Sequence, residues 1–167
     1  MTQVAIFIGS ISDKSVMEPC TQILESMGIS YHFTVSSAHR TPERTENLIR
    51  ELENAGCQIF ICGAGMAAHL AGAVAARTTR PVLGVPFNAS SLGGWDALLA
   101  TVQMPPGYPV ATLALDKAGA KNAGWLAAQI LALHDAALNE RILAAREKMA
   151  ADVATAGQEL ENGPKER

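Results

Sequence analysis

Short runs of consecutive apolar residues alternate along this chain with segments in which apolar residues recur every three or four positions. The first pattern is typical of buried strands and the second of amphipathic helices. The apolar runs predict five strands, at 4–9, 31–35, 57–62, 81–85 and 109–115. Because these runs show no polar alternation, we expect a parallel sheet that is covered by helices on both faces.

The segments between and after the strands predict six helices. The first has an apolar face from Val16 to Met27 and stops at Gly28, and Pro19 is expected to bend it. The other helices are predicted from 41 to about 56, over 67–76, around 95–102, over 118–133 and from 136 to about 153. The polar residues 158–167 are expected to fray, which leaves a single α/β domain over 1–157 with a C-terminal helical extension.

The composition limits the classes of partner. Of the 167 residues 49% are hydrophobic and 17% are charged, against about 25% charged in an average soluble domain. A chain this poor in charge is expected to bury apolar surface against copies of itself, as a homo-oligomer. The net charge of −3 argues against binding to nucleic acid or to a membrane surface. Without a leader or a long apolar stretch, the expected location is the cytoplasm.

The cysteines do not predict a metal or redox site. Cys20, Cys57 and Cys62 show no Cys-x-x-Cys or Cys/His spacing, and a thiol in an apolar run behaves as a small hydrophobic group. The chemistry is therefore sought elsewhere. In parallel sheets ligands bind beyond the carboxyl ends of the strands, so the turns after the strands are the places to examine.

The turn after the first strand contains Ser10, Ser12 and Asp13 at the predicted start of a helix. Backbone N–H groups and the helix dipole favour an anion at such a place. A turn of this kind, taken alone, is more often a helix cap than a ligand site, with Ser12 or Asp13 as the N-cap. The turn lacks the second glycine and the length of a Walker A loop.

The turn after the third strand, GAGMAA at 63–68, formally matches a dinucleotide-binding fingerprint. Such a fingerprint is followed about 20 residues later by an acidic residue for the ribose, and no Asp or Glu occurs between Glu53 and Asp96. We therefore interpret the glycines as permitting close approach of the backbone to a small ligand. His69, taken alone, is interpreted as a core or interface histidine.

The turn after the second strand, SSAHRTPE at 36–43, combines a helix start with groups that a helix start does not require. Thr41 suits the N-cap, Pro42 the first helical position and Glu43 the helix dipole. His39 is suited to proton transfer near neutral pH, and Arg40 is suited to a phosphate.

The three turns together predict one site. With Ser37 beside the His-Arg pair, they offer hydroxyl, carboxylate, imidazole, guanidinium and bare backbone at one edge of a sheet. No metal-binding cluster and no GxSxG nucleophile motif accompanies them. The chemistry available to these groups is proton transfer on a small phosphorylated molecule.

The motifs resemble those of the N5-carboxyaminoimidazole ribonucleotide mutases of purine biosynthesis. The resemblance runs from Val4 to about Val153 and lies in GSISD, SAHRTPE, GAGMAAHLAG, PVLGVP, LGGWDALLATVQMPPGYPVATLAL and NAGWLAAQIL. It implies a flavodoxin-like three-layer α/β/α sandwich, a homo-octamer and no metal or organic cofactor. It also implies an isomerase that converts N5-carboxyaminoimidazole ribonucleotide to 4-carboxy-5-aminoimidazole ribonucleotide. The carbamate would break to carbon dioxide and aminoimidazole ribonucleotide, and the ring carbon would then be carboxylated.

The resemblance also implies roles for individual residues. His39 would be the general acid and base, protonating the departing nitrogen and later removing the proton from the carboxylated carbon. The other implied contacts are with the substrate: Ser10 and Arg40 at the phosphate with Ser12 and Ser37 nearby, Asp13 at the ribose hydroxyls, backbone of Ala64, Gly65 and Met66 at the carbon dioxide, and His69 and Leu70 in the pocket wall.

Three departures from the family pattern affect the pocket rather than the proton-transfer groups. Lys14 stands where the family usually has Trp, Met66 where it has the second Gly of the turn, and Ala71 where it has Pro. Met66 would narrow or close the carbon dioxide site. Two alternatives stay open: a carboxylase that uses carbon dioxide directly, and a non-catalytic sensor of nucleotide monophosphates on the same fold.

Overall fold

The computed structural model describes residues 2–163 and contains one sheet. Within this part of the chain the five strands are β1 (Val4–Ile8), β2 (Tyr31–Val35), β3 (Ile59–Gly65), β4 (Val82–Phe87) and β5 (Ala111–Thr112). The six helices found there are α1 (Lys14–Ser26), α2 (Pro42–Asn54), α3 (Leu70–Ala75), α4 (Trp95–Val102), α5 (Asp116–Ala132) and α6 (Ala136–Asn162), and a 3-10 turn covers Ile11–Asp13.

All neighbouring strands are parallel, in the order β2-β1-β3-β4-β5. This arrangement confirms the predicted flavodoxin-like α/β fold. The last residue of β1, Ile8, lies opposite Val35 of β2 and Gly63 of β3. The chain leaves β1 toward β2 on one side and returns to β3 on the other. The order of strands therefore reverses at β1, and a ligand crevice is expected beyond the carboxyl ends of β1 and β3.

The centre of the sheet is fully buried. Every residue of β1 and β4 is buried, and the rings of Phe7 and Phe60 pack with centroids 5.8 Å apart. Burial on both faces explains why these strands are continuous apolar runs in the sequence. β2 is half-buried throughout because it forms an edge of the sheet.

Several elements differ from their predicted bounds, among them β3, α3 and β5. A turn was predicted from residue 63 onward, but β3 continues through Gly65 because Gly63 and Gly65 pair with β4. α3 begins only at Leu70, since the preceding Met66 has a left-handed φ of 55° that a helix cannot include. β5 contains two residues rather than seven, and pairs only with Leu83 and Gly84.

The chain divides by its internal contacts into two compact units, one up to Ala127 and one from Ala128 onward. In the second unit α6 begins at an N-cap, Asp135, whose carboxylate accepts a hydrogen bond of 2.9 Å from the Leu138 N–H. α6 extends to Asn162, so residues 158–162, which we predicted to fray, are helical. Residues 164–167 of that predicted tail lie outside the described residues, and the single domain over 1–157 stays a prediction.

Candidate active site

A cavity of about 520 Å³ lies at the carboxyl edge of the sheet, between the turns that follow β1, β2 and β3. All the residues predicted for the site line it, namely Ser10, Ser12, Asp13, Ser37, His39, Arg40, Ala64, Gly65, Met66, His69 and Leu70. Four lining residues were missed by the sequence analysis: Gly9, Ala38, Ala67 and Ala89. These four are glycine or alanine, which present no chemical group that a sequence pattern could reveal.

A second, larger cavity of about 890 Å³ lies at the opposite edge and contains none of the predicted site residues. Two of its polar side chains are already paired. Arg77 pairs with Glu46 at 3.5 Å, and Thr78 donates a hydrogen bond to Glu53. This edge holds the amino end of β4, where α/β sheets do not place their ligand sites. The smaller cavity is therefore the candidate active site.

The turn after β1 presents hydroxyl groups that capping uses only in part. Ser10 is the N-cap of the 3-10 turn and accepts a long hydrogen bond of 3.4 Å from the Ser12 N–H. The Ser12 hydroxyl donates to the Ser10 hydroxyl at 2.9 Å. Asp13 precedes α1 but makes no capping hydrogen bond. Neither Ser12 nor Asp13 therefore caps a helix with its side chain, and both residues line the cavity.

Burial raises the pKa of the Asp13 carboxyl above its ordinary value of 3.8. Hydrogen bonds from the Ser12 side chain and the Ser10 backbone, and the positive charge of Arg40, oppose that shift more weakly. A carboxylate that loses water at a cavity wall gains from a ligand hydroxyl that donates to it. Asp13 is therefore placed to accept hydrogen bonds from a polar ligand.

The turn after β2 is held by its own hydroxyl groups. Buried Ser36 and Thr45 share a hydrogen bond of 2.7 Å between their side-chain oxygens, and the Ser36 N–H donates to the Ile8 carbonyl at 2.9 Å. Thr41 stands at the N-cap of α2, but its side chain makes no capping bond. Its hydroxyl instead accepts from the Ser37 N–H at 3.0 Å and donates to the Ser37 carbonyl at 3.2 Å. Thr41, which was predicted to cap α2, instead links the two ends of the turn through Ser37.

His39 and His69 form a pair at the mouth of the cavity. The Nε2 atom of His39 lies 2.9 Å from the Nδ1 atom of His69, and the rings meet edge to face at 79°. One of the two nitrogens must carry a proton for this hydrogen bond to form. No sequence pattern predicts this contact, since the residues are 30 positions apart and follow strands that are not neighbours.

Arg40 provides a free cation beside the hydroxyl groups. Its backbone N–H donates to the Ser37 hydroxyl at 3.2 Å, which fixes the turn. Its guanidinium is exposed and makes no hydrogen bond or ion pair with any residue between 2 and 163 that the structure describes. A guanidinium in that state retains all its donors for a ligand such as a phosphate.

The end of β3 approaches β4 more closely than any side chain would allow. A Cβ atom on Gly63 would lie 2.3 Å from the ring of Phe87, and one on Gly65 would lie 2.5 Å from the Ala89 Cβ. The next residue, Met66, has a φ of 55°, a left-handed conformation that costs a residue with a side chain about 1 kcal/mol or more. The cavity wall is thus bare backbone followed by one strained methionine.

Among residues 2–163 no group of three His, Cys, Asp or Glu side chains is arranged to hold a metal ion. The thiols of Cys20 and Cys62 are buried, and burial raises the pKa of Cys20 to about 12 and that of Cys62 still further. Neither residue lines the cavity. No helix within residues 2–163 is long and apolar enough to cross a membrane.

Comparison with known sequences gives one consistent group of relatives. The family model described as AIR carboxylase matches residues 3–152. A protein of Haemophilus influenzae named N5-carboxyaminoimidazole ribonucleotide mutase is 51% identical over 145 residues, which cover 87% of this chain and 88% of the relative. A protein of the same name from Thermotoga maritima is 46% identical over 161 residues, covering 96% and 93%.

Solved structures agree with the sequence comparison. Two crystal structures of Treponema denticola proteins, titled PurE and a PurE2 variant, superpose with TM-scores of 0.84 and 0.88. Each is 27% identical to this chain, and each match covers 97% of this chain and 100% of the other. The cavity at the carboxyl edge therefore belongs to a fold shared along the whole length of these proteins.

Proposed function

Because the chain belongs to the AIR carboxylase family, we propose that it is an N5-carboxyaminoimidazole ribonucleotide mutase, an isomerase of purine biosynthesis. The enzyme moves a carboxylate from the exocyclic nitrogen of an aminoimidazole ribonucleotide to the neighbouring ring carbon. One observation supports this most directly: every residue that the resemblance implies for the reaction lines a single cavity of about 520 Å³.

The phosphate is held by the turns after β1 and β2. The hydroxyls of Ser10 and Ser12 lie 2.9 Å apart, and the free guanidinium of Arg40 borders the same cavity together with Ser37. Donors of this kind, next to the start of a helix, suit a phosphate dianion. The carboxylate of Asp13 accepts hydrogen bonds from the ribose hydroxyls, which replace the water it has lost.

His39 performs the proton transfers. In the first step the bond between nitrogen and the carboxylate carbon breaks, its electron pair remains on nitrogen, and His39 donates a proton there. Carbon dioxide and the aminoimidazole are left in the cavity. The ring carbon then forms a bond to the carbon of carbon dioxide, and the proton that this ring carbon loses passes to His39. The imidazole ends in the state in which it began, so no further reagent is consumed.

His69 positions His39 for both transfers. The 2.9 Å contact from His39 Nε2 to His69 Nδ1 fixes the orientation of the His39 ring. It also leaves the other nitrogen, Nδ1, for the substrate. A second imidazole on this hydrogen bond decides which nitrogen of His39 bears the proton, as second partners of catalytic histidines generally do. We therefore regard His69 as a positioning residue, where the sequence analysis placed it only in the wall.

The backbone of Ala64, Gly65 and Met66 forms the wall for carbon dioxide. Gly65 leaves this part of the cavity without a side chain, and the neighbouring Ala67 and Ala89 add only methyl groups. Carbon dioxide is small and uncharged, so a bare, weakly polar wall suits it better than a charged one.

The decisive test is an assay of the purified chain with N5-carboxyaminoimidazole ribonucleotide as the only substrate, without ATP or added bicarbonate. We expect formation of the carboxyaminoimidazole product. His39→Asn is expected to lower the turnover number about a thousandfold or more, since general acid-base catalysis by one group contributes on that order. Calorimetry should show that this variant still binds aminoimidazole ribonucleotide, because the phosphate-holding turns are intact.

The matched control is His134→Asn, which changes an exposed histidine that does not line the cavity. It should retain full activity. Product formation that depends strictly on added carbon dioxide would instead identify a direct carboxylase. Tight binding without turnover in the unchanged chain would identify a nucleotide-monophosphate sensor. Retention of most activity by His39→Asn would contradict the mechanism.

The assembly that we propose is a homo-octamer, as the family resemblance implies. Its support is an apolar stripe on α4 and the turn before it, formed by Leu92, Trp95, Leu99 and Val102, which are 61%, 67%, 49% and 47% exposed. They recur at helical spacing on one face, an arrangement that a chain seldom leaves open to water. We expect sedimentation equilibrium to give eight chains, and Trp95→Glu to give smaller species.

Two further parts of the proposal concern organisation and location. We propose a single catalytic domain over 1–157, since the family model spans 3–152. We propose a cytoplasmic location because the substrate is a charged phosphorylated molecule that does not cross membranes unaided. Cell fractionation and expression of the chain truncated after residue 157 would test these two points.

A further inference from the structure

Met66 is an unusual residue for its place. It lines the cavity together with His39 and His69, yet 60% of its surface is exposed. A side chain that borders a cavity and faces solvent at once must stand at the mouth of that cavity rather than at its base. By contrast Leu70, which lines the same cavity, is only 2% exposed.

Neither packing nor backbone conformation explains a methionine here. The φ of 55° is one that glycine adopts without strain and that methionine resists. The backbone carbonyl of Met66 accepts a hydrogen bond from the Ala68 N–H at 2.9 Å, and glycine would provide that carbonyl equally well. Because the side chain is exposed, it adds little to the core. Backbone strain that no packing or hydrogen bond of the side chain offsets points to a function of the side chain.

The residues that line the cavity next to Met66 on this turn are small. The lining residues next to the bare backbone of the β3 turn are Ala64, Ala67 and Ala89, which project no further than a methyl group. Met66 is the long, flexible and apolar side chain on this turn. Its thioether can lie across the mouth of the cavity or swing away to admit the substrate, as the three rotatable bonds of methionine allow.

We propose that the Met66 side chain is a lid that retains carbon dioxide between the two halves of the reaction. This inference rests on the proposed function. When the nitrogen–carbon bond has broken and before the carbon–carbon bond has formed, the molecule of carbon dioxide is held by no covalent bond. An apolar lid blocks its escape and blocks the entry of water, which would hydrate it to bicarbonate. Without the lid, aminoimidazole ribonucleotide is released as a by-product.

The test measures leakage in three variants that separate side chain from backbone. Each enzyme is given N5-carboxyaminoimidazole ribonucleotide in buffer with ¹³C-bicarbonate and carbonic anhydrase, which equilibrates any carbon dioxide that escapes. Mass spectrometry gives the ¹³C content of the product, and a dye assay gives free aminoimidazole ribonucleotide. Met66→Gly and Met66→Ala should each raise both readings about tenfold above the unmodified chain. Met66→Leu, which keeps an apolar side chain, should stay within about twofold of it.

The variants also distinguish the possible failures. Met66→Gly relieves the backbone, whereas Met66→Ala keeps the strain and removes the lid, so leakage in Met66→Gly alone would trace the effect to the backbone and overturn the proposal. Unchanged leakage in both would overturn it as well, while a normal rate of isomerisation in the unmodified chain would leave the proposed function standing. If the unmodified chain does not isomerise the substrate, the proposed function fails and the lid with it. Met149→Ala, on α6 and outside the cavity, is the control and should match the unmodified chain.

Discussion

The polar turn after β2 and the glycine turn, residues 63–68 at the end of β3 and just after it, border the same cavity but are held in place by different interactions. The first is held by hydrogen bonds among its own side chains, such as the buried pair of Ser36 and Thr45 at 2.7 Å. The second has almost no such bonds and is shaped by close contact with the next strand, where Gly63 leaves room for the ring of Phe87. The polar turn carries the His39 imidazole and the Arg40 guanidinium, and the glycine turn leaves the space beside them without side chains larger than a methyl group, apart from Met66.

This difference determines what a mutation does in each turn. A hydrogen bond is made by two atoms, so its loss is local and limited to about 1 kcal/mol. A close backbone contact is shared with a packed core, so an added methyl group must displace several buried side chains. We expect the glycine turn to be sensitive in stability, and the polar turn to be sensitive mainly in chemistry.

Gly63→Ala should produce the largest loss of stability. The new Cβ atom would lie 2.3 Å from the Phe87 ring and 3.0 Å from the Met17 sulfur, and both of those side chains are buried. Overpacking of this kind costs about 3 kcal/mol, which urea unfolding at a fixed chain concentration would measure. Gly157→Ala is the matched control, because nothing lies within 4 Å of that position in α6. It should leave stability unchanged or increase it by up to about 1 kcal/mol. Equal stability of both variants would contradict the contrast between the turns.

His69→Phe tests whether the two turns work together in the reaction. It removes the hydrogen bond to His39 but retains a planar ring, and we expect the turnover number to fall about 30-fold while KM changes less than about threefold. His69→Asn, whose amide can replace the lost partner, should recover part of the rate. A rise in KM with an unchanged turnover number would instead show that His69 only shapes the wall.

The two turns also differ in how far the sequence could predict them. In the polar turn the sequence predicted that His39 and Arg40 lie at the ligand edge of the sheet and that a helix starts at Pro42, because a helix start and a polar side chain after a strand are local features. It assigned Thr41 to capping, whereas Thr41 clamps Ser37, since the choice between two nearby partners depends on the path of the backbone.

Fewer features of the glycine turn could be predicted from the sequence. The parallel sheet follows from the alternation of apolar runs and helices, but the extension of β3 to Gly65 depends on the space beside Phe87. The contact between His39 and His69 arises because two chain segments meet over the end of β1. Neither feature has a local pattern, so only the folded chain reveals it.

Ser36→Ala should have a smaller effect on stability than Gly63→Ala. The variant loses the buried hydrogen bond to Thr45, whose hydroxyl retains the Thr41 carbonyl at 3.2 Å as a partner. We therefore expect a loss of about 1 kcal/mol in the free energy of unfolding. A double-mutant cycle with Thr45→Val would isolate the contribution of the pair. A loss as large as that of Gly63→Ala would mean that the polar turn, too, is fixed by packing.

Asp13→Asn should have the smallest effect on stability, and its sign should be opposite. Burial raises the pKa of Asp13 above 3.8 in the folded chain. At neutral pH the ionised carboxylate is therefore less stable in the folded state than in the unfolded state, which lowers the free energy of unfolding. Replacing the carboxylate should raise the melting temperature at pH 7 by about 1 °C. The gain should shrink as the pH falls through the raised pKa and vanish below 3.8, where Asp13 is protonated in both states.

The control is Asp152→Asn at an exposed position, which loses only a 3.4 Å ion pair with Lys148 and should show no such gain in melting temperature. Because Asp13 is proposed to bind the ribose, the stabilised variant should also have a KM about tenfold higher. A destabilised variant at pH 7 would show that the hydrogen bonds from Ser10 and Ser12 outweigh the cost of burial, and would place this turn with the polar one after β2.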